Sequence, residues 1–188
     1  MTKFVCISGR ARHGKDTTAT LLKKNLSEKG YTSVVVHYAD LLKHICKAFF
    51  GWNGEKDEQG RSLLQRVGTE CVRTQNPNYW VDFVISLAAL FPAEYDYIIV
   101  PDARFPNEIS RIREAGFDVT HVRVVRDGFK NELTPEQQLH ASETALDGTE
   151  PDYWVHNRDM DDLCLQVKNL CDMITKAPAD TEALHESP

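Results

Sequence analysis

With 188 residues, 41% hydrophobic and 27% charged, the chain is long enough to bury a sizeable core as one domain without disulfides or metals as staples. A formal net charge of −6 leaves no strongly basic face for a nucleic-acid partner, and no apolar run approaches the length of a membrane span. The first strand starts almost at the N-terminus with no charged and apolar leader, so a cytoplasmic location is expected. The five cysteines, an odd number with no CxxC, read as small core residues kept reduced.

The opening run KFVCIS at residues 3–8 has the β-branched and aromatic content of a strand, and GRARHGKDT at residues 9–17 follows it directly. That stretch fits GxxxxGK with a polar residue behind it. From Lys15 onward Ala19, Leu22 and Leu26 recur at helical spacing, and Gly30 stands where the helix would stop. Strand, glycine loop and helix make a phosphate-binding turn. Gly9 and Gly14 let the backbone of Arg10, Ala11, Arg12 and His13 curl with N–H groups inward, the helix N-terminus adds positive potential, and Lys15 reaches the outer phosphates of a triphosphate. The next position, usually a hydroxyl on Mg²⁺, is Asp16, with Thr17 behind it. Two readings stand: Asp16 holds the metal directly or through water, or it caps the helix while Thr17 serves the metal.

Further along, TSVVVHY at residues 32–38 reads as a strand buried on both faces, with Asp40 at its end. Leu41, Leu42, Ile45 and Phe49 mark a helix stopped by Gly51, residues 52–60 form a polar turn, and Leu63, Leu64, Val67 and Cys71 define another helix. Asn76 and Pro77 announce a helix carrying Trp80, Val81, Val84, Ala88 and Phe91. The strand YDYIIV at residues 95–100 runs into Pro101 and Asp102, which puts a carboxylate at its end; a short helix with Ile109 and Ile112 and a strand at 118–125 follow. Residues 126–151 are polar and mixed, with a small helix signalled by Thr134, Pro135 and Gln137, as suits a mobile cover. A last strand at 153–156 and a helix through Leu163, Val167, Leu170 and Ile174 complete the pattern, and a disordered tail is expected from Ala177. Strands alternating with helices imply a parallel sheet covered on both faces, with ligands beyond the strands' carboxyl ends. Ser8, Asp40, Asp102 and Arg126 all fall at that rim.

Five stretches, SGRARHGKDTTA (8–19), RSLLQRVGTE (61–70), NPNYWV (76–81), PDARFPNE (101–108) and HASE (140–143), together resemble the phage-type deoxynucleoside monophosphate kinases over nearly the whole chain. The family's pattern usually has a hydrophobic residue where Ala103 stands and often a lysine where Arg10 or Arg12 stands. The resemblance implies an α/β P-loop kinase fold: a five-stranded parallel sheet flanked by helices in a single domain over residues 1–176. It also implies a helical acceptor-binding insertion at about 40–90 and a lid at about 126–151. It implies ATP- and Mg²⁺-dependent transfer of the γ-phosphoryl group to a 2′-deoxynucleoside 5′-monophosphate. The partner is then a small molecule rather than a nucleic acid or a membrane, in host cytoplasm if the chain is phage-encoded, and a homodimer is left open.

The acceptor is itself a phosphate, largely dianionic at neutral pH because its second pKa is near ~6, so no general base is needed. Two polyanions must instead be neutralised and aligned, which calls for Lys15, Mg²⁺ and arginines. Arg104, two residues past the candidate metal ligand Asp102, and Arg61 are the expected grips on the acceptor phosphate, and Arg126 at the lid's root the one reaching the transferring group. The lid carries Lys130 as its single lysine or arginine between Arg126 and Pro151, so the core or Arg10 and Arg12 are the alternative source of that cation. Asp40 and Glu108 either contact sugar or base or order the arginines. Lys43 and Gln65 complete the acceptor side, Trp80 either stacks on a base or packs in the core, and Asn157 lines the adenine pocket. His140 and Glu143 are expected to hold the lid, and Arg66, Arg73, Arg111 and Arg113 to be solvated. The competing readings are a kinase of another phosphorylated small molecule, such as dephospho-coenzyme A or phosphomevalonate, and a regulatory module that binds a nucleotide without turning it over.

Overall fold

Alternation along the first strand sets the layers. In the computed structural model, which describes residues 2–91, 93–129 and 133–176, β1 (Lys3–Ser8) sends Phe4 and Cys6 to one face and Val5 and Ile7 to the other, all four buried. The remaining strands are β2 (Ser33–Val35), β3 (Tyr97–Ala103), β4 (Asp118–Val125) and β5 (Tyr153–His156). They form one five-stranded sheet in the order β2-β3-β1-β4-β5, every pair parallel. Every strand therefore delivers its carboxyl end to the same rim. The expected tail from Ala177 lies outside the described residues.

The helices, in chain order, are α1 (Lys15–Glu28), α2 (Tyr38–Phe50), α3 (Glu58–Gln65), α4 (Tyr79–Leu90), α5 (Pro106–Glu114), α6 (Pro135–Leu139), α7 (Ala141–Thr144) and α8 (Met160–Thr175). Ala19, Leu22 and Leu26 of α1 meet Leu163, Val167 and Leu170 of α8 over one face of the sheet. Trp80, Val81 and Val84 of α4 and Ile109 and Ile112 of α5 cover the other. A satellite core of Cys46, Trp52 and Val67 sits under the helical insertion. No helix among the described residues is long and apolar enough to cross a membrane.

Three expectations are corrected. The valine run forms only a short edge strand, half-buried rather than enclosed, because β3 flanks it on one side and its other side is the sheet's margin. The helix expected through Leu63 and Cys71 is α3 followed by π-helical turns over Arg66–Arg73. Within these turns Gly68 packs close, a Cβ there lying 2.7 Å from the Leu42 side chain, and its carbonyl accepts a 2.9 Å bond from the Trp80 indole. Of the cysteines, Cys6, Cys46 and Cys171 are buried as expected, whereas Cys71 and Cys164 are exposed.

Candidate active site

The loop between β1 and α1 is shaped by two close approaches. Gly9, at φ 141°, would place a Cβ 2.3 Å from the Val124 carbonyl oxygen, and Gly14, at φ 99°, would place one 2.5 Å from Asn157 Nδ2. Only glycine allows both the backbone angle and the contact. Asn157, at the end of β5, donates from that Nδ2 to the His13 carbonyl at 2.9 Å, so it braces the loop from beneath. The His13 ring packs edge-on against Phe129 and accepts at Nδ1 from the Arg126 backbone N–H at 3.3 Å. Arg12 adopts a left-handed backbone with φ 62°, uncommon for a non-glycine residue and often found where function fixes a turn. Lys15 is buried, and its ammonium donates to the carbonyls of Gly9 and Arg10 at 2.9 Å each. Burial, and then the Arg104 guanidinium beside it, push the Lys15 pKa down from 10.5 to about 7.

Arg104 stands at the head of this loop. One of its terminal nitrogens donates to Glu143 Oε1 at 2.7 Å, to the Ser142 carbonyl at 3.2 Å and to the Gly9 carbonyl at 3.4 Å. The second oxygen of Glu143 accepts the Ala11 N–H at 2.9 Å. One carboxylate thus joins α7, the phosphate loop and the end of β3. Arg10 and Arg123 both reach Asp147 at 2.6 Å. Part of the acidic character of residues 126–151, unexpected for a cover over anions, is thus accounted for: Glu143 and Asp147 pair with arginines that the loop and the sheet side supply.

At the rim, Asp102 accepts from the backbone N–H groups of Tyr38 and Ala39 at 3.0 and 2.9 Å, one on each oxygen, tying β3 to the start of α2. His37 is a residue that sequence reasoning missed. It contacts Asp16 Oδ1 at 3.1 Å and Asp40 Oδ2 at 3.4 Å, and Lys43 contacts Asp40 at 2.8 Å. The His37 to Asp16 hydrogen bond is the main cause that raises the His37 pKa and lowers that of Asp16. Its position, next to Asp40 at the end of a strand, was the available signal. Thr17 is exposed on α1.

Other expected site residues lie elsewhere. Trp80 is 3% exposed with its indole bonded to Gly68, so it packs in the core and offers no face to a base. Glu108 is 1% exposed, accepts from the backbone N–H groups of Arg104 and Phe105, and pairs with Arg73. Burial raises its pKa, and Arg73 is the foremost opposing influence. Arg73, expected to be solvated, lies over the Phe105 ring at 4.0 Å and is shielded by this pairing. Glu108 therefore orders the turn that carries Arg104 rather than facing a ligand.

Two cavities open beside the loop. The larger, about 420 Å³, is lined by Gly14, Lys15, Asp16 and Thr17 on one side and by Arg126, Asn157, Arg158 and Met160 on the other. The smaller, about 240 Å³, lies between Ala11 of the loop, Arg61 of α3 and Gln137 of α6. Arg12 lines both. Arg61 donates its Nε–H to the Lys56 carbonyl at 2.9 Å, and Gln65 follows one turn later on α3, half-buried. Arg158, Asp159 and Met160 carried no sequence signal, since they follow the last strand in an ordinary polar turn.

A glycine loop between first strand and first helix, a buried lysine at its exit, and arginines around a second cavity on a five-stranded parallel sheet define the P-loop kinases. Within that class, the family model for deoxynucleotide monophosphate kinase matches residues 32–167, and the chain belongs to that family, whose members are phosphotransferases. The deoxynucleotide monophosphate kinase of Enterobacteria phage T4 is 34% identical over 112 residues, 58% of this chain and 44% of that protein, so the match spans less than half of that relative's length. Among solved structures, the fold is similar to APS kinase from Mycobacterium tuberculosis in complex with AMPPNP and APS, at TM-score 0.54 and 18% identity over 93% of this chain and 98% of that one. It is also similar to a sugar kinase from Janibacter sp., at TM-score 0.55 and 17% identity over 95% of this chain and 98% of that one. At such identities the likeness concerns the fold.

Proposed function

We propose that the protein transfers the γ-phosphoryl group of ATP to a 2′-deoxynucleoside 5′-monophosphate, with Mg²⁺, giving ADP and the deoxynucleoside diphosphate. The observation that carries this reading is the pair of cavities that meet at Arg12, one beside the phosphate loop and one beside Arg61. Two anions placed in them approach end to end across the loop. ATP suits the larger cavity: Gly9 and Gly14 let the loop press against Val124 and Asn157, Gly14 and Lys15 line the cavity on the loop side, and Asn157 and Met160 border it as well.

Mg²⁺ suits the carboxylates here, because the ion is usually bound through one or two carboxylates with phosphate oxygens and water completing its shell. Asp16, 84% exposed and lining the ATP cavity, would hold it directly, and Asp102, whose oxygens already serve the α2 amides, through water; Thr17 lines the same cavity. When bound, the ion neutralises charge on the transferring phosphates.

The chain's own residues do the rest by position. Lys15 exchanges its loop carbonyls for phosphate oxygens. Arg61, lining the smaller cavity, holds the acceptor phosphate from the α3 side, and Arg104, fixed by Glu143 against the Gly9 carbonyl, stands at the junction of acceptor and donor. Arg126 and Arg12 flank the donor. In this reading residues 40–90 are the acceptor region, 126–151 the lid, and residues 1–176 one domain in the cytoplasm, where such substrates occur. The test is a panel of deoxynucleoside and ribonucleoside monophosphates, dephospho-coenzyme A and phosphomevalonate, each offered with Mg-ATP while ADP release is followed. Turnover is expected with one or more deoxynucleoside monophosphates. Turnover confined to the non-nucleotide esters, or ATP binding with none, would overturn the reading.

A further inference from the structure

The segment between α2 and α3, expected as a plain polar turn, is a built platform. The Trp52 indole is buried against Cys46 and Val67 and donates to the Glu55 carbonyl at 2.8 Å, while Asn53 accepts the Glu55 N–H at 2.9 Å. Gly60 packs so tightly on this turn that a Cβ would lie 2.1 Å from the Glu55 oxygen and 2.7 Å from Trp52 Nε1. Asp57 spends its carboxylate on the Gly60 N–H at 2.7 Å. The platform leaves Lys56 facing the smaller cavity beside Arg61, whose Nε–H is fixed on the Lys56 carbonyl.

Arg10, Arg73, Arg104, Arg111, Arg113, Arg123 and Arg158 each have a carboxylate within ion-pair distance. Lys56 and Arg61 have none among the described residues, although Asp57 and Glu58 line the same cavity. Among the described residues Lys15, Arg66 and Arg126 also stand without an ion-pair partner; what singles out Lys56 and Arg61 is that both line the smaller cavity in that state. Burial and the nearby Lys43 ammonium depress the Lys56 pKa. A dianion between them would supply the missing counter-charge.

We propose that Lys56 is a substrate-binding residue that, together with Arg61, forms the subsite for the phosphate group of the acceptor, a phosphomonoester dianion. This rests on the function proposed above. It also divides the labour of the cations: Lys56 and Arg61 hold the acceptor's own phosphate, leaving Arg104, tied to Glu143, for the junction with the donor.

The test measures equilibrium binding, without ATP, of the four deoxynucleoside monophosphates and of the matching deoxynucleosides to wild type, K56Q and K56R, with Mg-ATP affinity measured separately. We expect K56Q to weaken monophosphate binding about 10- to 100-fold, leave deoxynucleoside and Mg-ATP binding within about twofold, and K56R to restore most of the loss. Monophosphate binding by K56Q within twofold of wild type, or an equal loss for the deoxynucleoside, would overturn the subsite while leaving the proposed function standing. If wild type uses only a non-nucleotide phosphate ester and K56Q loses that ester, the subsite survives and the nucleotide reading fails. If wild type binds none of these phosphates, both fail.

Discussion

Exchanging the Glu143 carboxylate for an amide of the same size, Glu143→Gln, acts where the lid, the loop and the β3 turn meet. Its two oxygens accept from Arg104 at 2.7 Å and from the Ala11 N–H at 2.9 Å, and its side chain is 7% exposed, so neither partner is readily recovered by water. A glutamine has one acceptor oxygen for two donors, so either the guanidinium or the loop N–H then faces an NH₂. An unsatisfied buried donor costs about 1–3 kcal/mol, and loss of a charge-assisted bond to Arg104 is of similar size. If about 2–4 kcal/mol of the total is felt in the transition state, kcat/KM for the acceptor falls roughly 30- to 1000-fold, at about 1.36 kcal/mol per decade. The assay is coupled ADP release for Glu143→Gln, Arg104→Met and the double variant, with urea unfolding of each. We expect the Glu143→Gln loss to shrink at least tenfold on the Arg104→Met background, because the partner is already gone. A kcat/KM within threefold of wild type, or additive losses in the double variant, would refute the coupling.

Gly9→Ala adds a Cβ 2.3 Å from the Val124 carbonyl at φ 141°, so the loop must shift; ATP affinity should fall at least about 30-fold by titration with a fluorescent analogue, and a change under threefold would show that the loop tolerates the strain. His121 is 2% exposed, bonded through Nε2 to Ser8, and burial holds its pKa down from 6.5 to about 4. The unfolded chain then binds the proton first as pH falls, so stability is full above about 6.5 and drops by up to roughly 3 kcal/mol toward pH 4. His121→Asn should flatten that part of the urea-stability profile, and an unchanged slope would count against it. Trp80→Phe removes the bond to the Gly68 carbonyl and should cost about 1–3 kcal/mol of stability with acceptor KM within twofold. A tenfold rise in KM at unchanged stability would return Trp80 to a base-stacking role.

The five strands, the phosphate loop and the alternation of helices were legible because each rests on local periodicity and glycine placement. Strand order was not. Three successive valines signal an apolar environment without saying whether a neighbour lies on one side or both, and β2 turned out to be an edge. The rim residues Asp102 and Arg104 were visible at the end of β3, but their partners were not: Glu143 lies 39 residues from Arg104 and Tyr38 lies 64 from Asp102. Trp80 shows the opposite limit. Its helical spacing admitted either a core or a ligand role, and only the indole bond to Gly68 distinguishes them. Lys56 falls in the stretch read as a polar turn and nothing in the sequence singles it out, because the packing of Trp52 against Gly60 that fixes the turn has no sequence period.

Transfer itself is the most direct test. ATP labelled at the γ-phosphorus is mixed with wild type or Lys15→Ala, Mg²⁺ and each deoxynucleoside monophosphate, and the products are separated after a single turnover. We expect the label on the β-phosphorus of a deoxynucleoside diphosphate with wild type, and at least about a thousandfold slower transfer with Lys15→Ala. Label found only in unreacted ATP or inorganic phosphate for every acceptor, or Lys15→Ala within a few-fold of wild type, would contradict phosphoryl transfer at this loop.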